Sequence, residues 1–431
     1  MNNDITKRAA TSGLTRRGAI TATAATLAAA KAAFPSGAFA AGAGPEVSKA
    51  KLGFIALTDA SPLIIAKERG LFAKHGMPDV EVLKQASWAA TRDNLVLGSG
   101  GGGIDGAHIL SPMPYLLTAG TISGGKPVPM NILARLNLNG QAISVGNDLK
   151  AVKVGLNSAG AKAKFAQLKA AGNTAKVAMT FRGGTHDLWI RYWLAAGGIN
   201  PETDVSTIVI PPPQMVANMK AGTQDAFCVG EPWNGQLVNQ KIGYTACLTS
   251  EIWMNHPEKA LGMRADWVAK FPRAAEAITA AVMEAQMWCD KPANKQAMCS
   301  IVSGRQYINV PIGDILPRLQ GTVDYGDGRA LKGSGHVMKF WADNASFPWK
   351  SHDLWFLTED VRWGVLPAST NKMGLVNKVN RSDIWRAAAK SLGVAAPAGD
   401  NRGPEKFFDG KVFDPANPAA YLASQPIKKL V

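Results

Sequence analysis

"KAKLGFIALTDASPLIIAKERGLFAKHG", residues 49–76, decides how this chain folds. Leu52 to Leu57 is an apolar run of strand length. Asp59, Ser61 and Pro62 follow as a loop and a helix start. Ser61 is the expected cap, and Pro62 stands at the first helical position, where its missing N–H is no loss. The apolar helix that follows closes at Gly76. The same rhythm of strand, short loop and capped helix recurs downstream. "VEVLKQ" (80–85) leads into "SWAATRDNLVLGSG" (87–100), a helix capped by Ser87, and "GIDGAHIL" (103–110) into "SPMPYLLTAG" (111–120). Repetition of this unit predicts parallel strands joined by crossover helices.

Around "NILARLNLNGQAISV" (131–145) the chain leaves this first series, and a second begins at "AVKVGLNS" (151–158). "KVAMTFRGG", "STIVIPPP", "QDAFCVG" and "YTACLTS" read as strands. "THDLWIRYWLAAGGI" (185–199), "QMVANMKAG" and "EPWNGQLVNQK" read as helices. The chain then returns with "ALGMRADWV" (260–268) and a long helical stretch after Pro272. The expected architecture is therefore α/β with two lobes: 48–144 in the first, 145–256 in the second, and 257–431 back on the first. Two crossings between lobes make a hinge, with a cleft between them. In open α/β sheets ligands lie beyond the carboxyl ends of the strands. Those ends here carry Thr58-Asp59, Ser87-Trp88, His108, Gly140-Gln141, Thr185-His186, Glu231 and Lys259.

Composition narrows the class. The 431 residues are 46% hydrophobic and 18% charged, as in ordinary globular proteins. The balance of 47 basic against 32 acidic residues gives +15, which admits an anionic partner. The positive charges are scattered, so a nucleic-acid stripe is not supported. Beyond the amino terminus no apolar run is long enough to span a membrane. Residues 1–40 read as an export signal: paired Arg16 and Arg17, a mild Ala/Thr-rich run from Gly18 to Ala30, and "AFA" (38–40) for cleavage. Arginine pairs of this kind resemble a twin-arginine signal. Cys228 and Cys247 read as apolar strand positions. Cys289 and Cys299 flank "DKPANKQAM", where a disulfide is permitted by export. Neither cysteines nor histidines show metal-ligand spacing. "GSGGGG" (98–103) lacks the Lys-Ser/Thr of a phosphate loop and reads as a helix exit.

Four residues at the expected strand ends have two readings each. Lys259, in "EIWMNHPEKALGMR" (251–264), is either a solvated loop lysine with its stem on apolar surface or a cation facing a small anion. Gln141 is either a polar strand start or an amide donor. His186 is either a satisfied surface histidine or a ring N–H donor in the first turn of a helix, with Thr185 as its expected cap. Trp88 is either core or a cleft wall whose indole N–H donates. Thr185 and Gly140 are secondary candidates beside them.

"FIALTDASPLIIAKERGLFAKHG", "KQASWAATRDNLVLG", "NLNGQAISVG", "THDLWIRYWLAAGGI", "DAFCVGEPWN", "IWMNHPEKALGMR", "DLWFLTEDVRWG" and "GPEKFFDGKVFDPANPAAYL" together resemble the nitrate-binding subunits of ABC importers. The resemblance implies a two-lobe, hinge-linked periplasmic receptor of type II-like fold. Such a receptor delivers nitrate, often nitrite too, to a membrane permease, and is not an enzyme. By motif it implies that Trp88, Gln141, His186 and Lys259 hold the anion with neither metal nor cofactor. Related bicarbonate-binding members carry an acidic residue at the position of Lys259 and recruit a metal cation. Bicarbonate or another small oxyanion is therefore the alternative, and a cytoplasmic nitrate sensor a further one. An exported monomer, free of nucleic acid and not inserted in a membrane, completes the expectation. An enzyme of the same fold, a cofactor-precursor synthase, would need a cysteine cluster that the sequence lacks.

Overall fold

The computed structural model describes residues 44–430. The export signal and its expected cleavage after Ala40 lie outside the described residues. The site is framed, in chain order, by β1 (Lys49–Phe54), α1 (Ser61–Glu68), β2 (Asp79–Lys84), α2 (Trp88–Leu97), β3 (Gly106–Leu110), β4 (Met130–Arg135) and β5 (Gln141–Gly146). They are followed by β6 (Lys176–Met179), α3 (Thr185–Ala196), β7 (Ser206–Val209), β8 (Ala226–Gly230), β9 (Gly243–Leu248), β10 (Lys259–Arg264), α4 (Pro272–Asp290) and α5 (Lys350–Arg362).

These strands form two five-stranded sheets, ordered β2-β1-β3-β10-β4 and β7-β6-β8-β5-β9. In the first, β1 lies parallel to β2 and β3, as the strand–helix rhythm predicts. In the second, β6 lies parallel to β7 and β8. Neither sheet is wholly parallel, however. β10 runs antiparallel between β3 and β4, and β5 antiparallel between β8 and β9. The reason is connectivity. Each of these two strands arrives straight from the other sheet and enters from the edge where the parallel strands finish. Gln141 therefore pairs with Gly230 at the end of β8, and Lys259 with Leu110 at the end of β3. The first residue of each exchanged strand is delivered to the carboxyl edge of the sheet it joins.

Local signals act as their chemistry requires, with one shift. Ser87 caps α2, its hydroxyl accepting from the Ala90 N–H at 3.1 Å. Ser61 is not a cap. A 3-10 turn at Thr58–Ala60 places Ala60 there instead, and Ser61 is the first helical residue, its hydroxyl donating to the Thr58 carbonyl at 2.6 Å. α4 opens on Pro272 and packs on α1 through an alanine-rich buried face that lets the two helices approach closely. From α4 the buried Gln286 amide donates to the Arg135 and Leu136 carbonyls, both at 2.9 Å, pinning the chain as it leaves β4.

The carboxyl-terminal part serves both cores. On α5, Leu357 and Val361 belong to the core of the first sheet, while Leu354, Trp355 and Phe356 join that of the second. Phe407, Phe413 and Tyr421 also pack into the second core. Cys228 and Cys247 are buried strand residues as read from the sequence, but Cys289 and Cys299 are not paired. Each lies buried as a small apolar side chain in the helical layer, which is how free cysteine usually packs. Among the described residues no helix is long and apolar enough to cross a membrane.

Candidate functional site

Trp88, Gln141, His186 and Lys259 converge on one buried cluster between the two sheets. All four are at most 1% exposed, which removes the reading of Lys259 as a solvated loop residue. Lys259 Nζ lies 3.5 Å from His186 Nε2 and 5.8 Å from the centroid of the Trp88 ring. His186 Nε2 lies 3.2 Å from Gln141 Oε1, and its Nδ1 lies 2.6 Å from the Thr180 hydroxyl. The sheets dictate this meeting: Gln141 and Lys259 open the two exchanged strands, His186 lies in the first turn of α3, and Trp88 begins α2.

The secondary candidates have other duties. Gly184, not Thr185, is the residue preceding α3. Thr185 Oγ1 turns inward to donate a short hydrogen bond to Glu258 Oε1, because a charged acceptor outcompetes the backbone N–H groups a cap would serve. Gly140 stands at φ +89°, in the left-handed region, where the chain bends into β5. A Cβ there would also sit 2.3 Å from the end of Met338.

Three further residues complete the cluster, and none is among the candidates read from the sequence. Asp59 Oδ2 lies 2.9 Å from Lys259 Nζ and accepts from Gln141 Nε2 at 3.2 Å, while its Oδ1 lies 2.7 Å from His108 Nε2. Glu258 Oε1 accepts from Lys259 Nζ at 2.8 Å, and Glu258 Oε2 from the Trp189 indole N–H at 2.9 Å. Asp59 and His108 stood at expected strand ends, which was the available signal. Glu258 gave none, because adjacent residues of a strand point to opposite faces. It lies one residue before β10, so the alternation does not apply to it.

Glycine makes this crowding possible. A Cβ on Gly230, opposite Gln141, would fall 2.6 Å from Gln141 Oε1 and 3.2 Å from Asp59 Oδ2.

Charge in the cluster follows from burial against pairing. Burial pushes the Lys259 ammonium down, but Asp59 and Glu258 outweigh it and hold its pKa above the ordinary lysine value. Burial pushes Asp59 up, and is outweighed by Lys259 and His108, so Asp59 is held well below the usual carboxylate range. For Glu258 burial wins over Lys259 and the hydrogen bonds from Thr185 and Trp189, and the carboxyl is pushed up. Burial, reinforced by Lys259, drives His186 well down and makes it a neutral ring.

Two of the buried donors that stand unused belong to residues here. Among the described residues, Trp88 Nε1 and Thr58 Oγ1 have no hydrogen-bond partner. A sealed N–H without an acceptor costs on the order of 1–3 kcal/mol, and on a residue beside the Lys259 cluster it is available to a ligand.

Two mixed α/β sheets that exchange one strand each, with a polar cluster sealed between them, define the class of two-lobe solute receptors. Residues 43–303 match the NMT1-like family, and the chain belongs to that family. It is 61% identical over 392 residues to the nitrate/nitrite binding protein NrtA of Synechococcus elongatus, covering 90% of this chain and 88% of that protein. It is 46% identical over 396 residues to the bicarbonate-binding protein CmpA of the same organism, covering 89% and 88%. The crystal structure of the periplasmic nitrate-binding protein NrtA from Synechocystis PCC 6803 superposes with a TM-score of 0.87 at 60% identity, covering 89% of this chain and all of that one.

Proposed function

We propose that this chain is the extracytoplasmic solute-binding subunit of an ABC importer, and that it binds nitrate, with nitrite as a second ligand, in the buried cluster between its sheets. One observation carries the site assignment. The cluster's ammonium sits beside an indole ring whose N–H has no acceptor among the described residues, together with an imidazole and a carboxamide. A flat monovalent oxyanion uses that set well: its oxygens accept from Trp88, Gln141 and His186, and Lys259 supplies the compensating charge. The high identity to nitrate/nitrite binding proteins over nearly the whole chain supports the same ligand.

Bicarbonate is the second reading, carried by the 46% relative. Lysine at position 259 argues against it, since the resemblance implies an acidic residue and a metal cation there. In this proposal the lobes are 48–144 with 257–431, and 145–256, the carboxyl-terminal part of the first also packing into the core of the second. Nitrate touching both favours their closed arrangement, and the permease reads that state. The protein acts as a monomer, exported through the twin-arginine route.

Calorimetric titration of the exported chain with nitrate, nitrite and bicarbonate, each with and without calcium, tests this. Saturable, calcium-independent nitrate binding is the expected outcome. Binding of bicarbonate alone, or only in calcium, would overturn it.

A further inference from the structure

We propose that nitrate enters this cluster together with a proton, and that the proton is taken up by the carboxylate of Glu258. The inference rests on the nitrate reading and adds a second, unassigned ligand to it. Its basis is a count of charges in a closed space. One ammonium, Lys259, faces two carboxylates, Asp59 at 2.9 Å and Glu258 at 2.8 Å, and all three side chains are fully shielded from solvent. With the histidines neutral the cluster already carries a net negative charge. A monoanion placed beside Lys259 would have to share that ammonium with both carboxylates. Converting one carboxylate to the acid returns the cluster to the net charge it carries without ligand: protein, nitrate and one proton from the buffer combine, and no other bond changes.

Glu258 is the carboxylate suited to accept it. Asp59 is clamped as an anion by Lys259, by His108 at 2.7 Å and by the Gln141 amide. Glu258 faces Lys259 on β10, His186 at 3.6 Å together with Thr185 and Trp189 on α3, and Cys228 on β8. Asp59 lies across the shared ammonium. Burial already biases Glu258 towards its protonated form, and a nitrate anion beside it adds to that bias. The Thr185 hydroxyl, now a donor to Glu258, is also the oxygen to which a protonated Glu258 would donate.

The sign is fixed. The pKa of Glu258 is higher in the complex than in the ligand-free protein. Nitrate affinity is therefore full below the ligand-free value, weakens by up to tenfold per pH unit between the two values, and levels above the higher one. Calorimetry with sodium nitrate between pH 5.5 and 9, in pairs of buffers that differ in ionisation enthalpy, reads the uptake directly. About one proton per nitrate is expected on the sloping segment. An infrared difference spectrum of the native protein should show a protonated-carboxyl band appearing as nitrate is added. Glu258→Gln should bind nitrate with no proton uptake and no slope.

Nitrate binding with buffer-independent heats and a flat affinity over the whole range would overturn the proposal. Undiminished uptake in Glu258→Gln would overturn the choice of residue. Absence of nitrate binding to the native chain at every pH would instead sink the nitrate reading itself.

Discussion

Arg135 with Asp353 and Lys259 with Asp59 and Glu258 are both sealed from water, yet they are built on opposite plans. The first is matched in charge, although the buried Arg135 Nε has no hydrogen-bond partner among the described residues. Arg135 Nη2 donates to Asp353 Oδ1 at 2.6 Å, Asn380 Nδ2 donates to Asp353 Oδ2 at 2.7 Å, and Ser111 accepts from Arg135 Nη1. One cation meets one anion, and the pair ties β4 to α5 and to the chain that follows it. The second is mismatched. One cation meets two anions, two nearly neutral histidines stand by, and the Trp88 N–H next to it has no acceptor. A buried pair with its charges balanced has little left to offer a ligand. A buried cluster with a surplus carboxylate is poised to change its occupants.

The contrast is sharpest at Lys259. Lys259→Gln keeps a hydrogen-bonding head on a slightly shorter side chain but removes the ammonium, and nitrate binding should fall a thousandfold or more, about 4 kcal/mol. An affinity within tenfold of the native value, read by calorimetry, would sink the role given to that charge. Asp353→Asn should do the reverse. It leaves Arg135 unneutralised and should lower unfolding stability by about 3 kcal/mol, seen in urea titration, while the folded fraction binds nitrate as before. If this variant instead lost affinity without losing stability, the division between a structural and a functional cluster would be wrong.

The next test separates burial from use. Trp88→Phe keeps an aromatic wall and removes only the unpartnered N–H. Nitrate affinity should drop about tenfold, roughly 1.4 kcal/mol, with the melting temperature unchanged or slightly raised. A lower melting temperature with unchanged affinity would make Trp88 plain core. The smallest effect is expected at Ser87→Ala. Loss of the cap should cost α2 about 1 kcal/mol, measured by thermal unfolding, and should weaken nitrate binding only through the position of Trp88.

What the sequence made legible divides along the same line. The helix start capped by Ser87, the helix that begins one residue before Pro62, the strands around them, and the cleft edge that gathers Trp88, Gln141, His186 and Lys259 all follow from local chemistry. Periodicity and turn residues act within a few positions. Strand direction in β5 and β10 does not, because it depends on which sheet receives the strand. That is settled by contacts between residues far apart, such as Lys259 with Leu110. Thr185 and Ser61 were misread for a related reason. Each hydroxyl had a capping role on offer and took another partner: the distant Glu258 for Thr185, and for Ser61 the Thr58 carbonyl of the 3-10 turn just before it. The carboxylates were the hardest to find. Asp59 looked like a loop residue, and Glu258 drew no reading of its own beside Lys259. Only the folded chain shows that both heads meet one ammonium.

The exchange of β5 and β10 also sets an order of assembly. During synthesis, β1 to β4 emerge first, but the place between β3 and β4 stays vacant until residues 259–264 follow. By then the whole second sheet has left the ribosome. The amino-terminal half thus cannot mature ahead of the rest. A product ending near residue 256 would carry a split sheet with raw strand edges, the kind of surface that recruits other chains. Neither sheet is complete until the strand it takes from the other segment has been made.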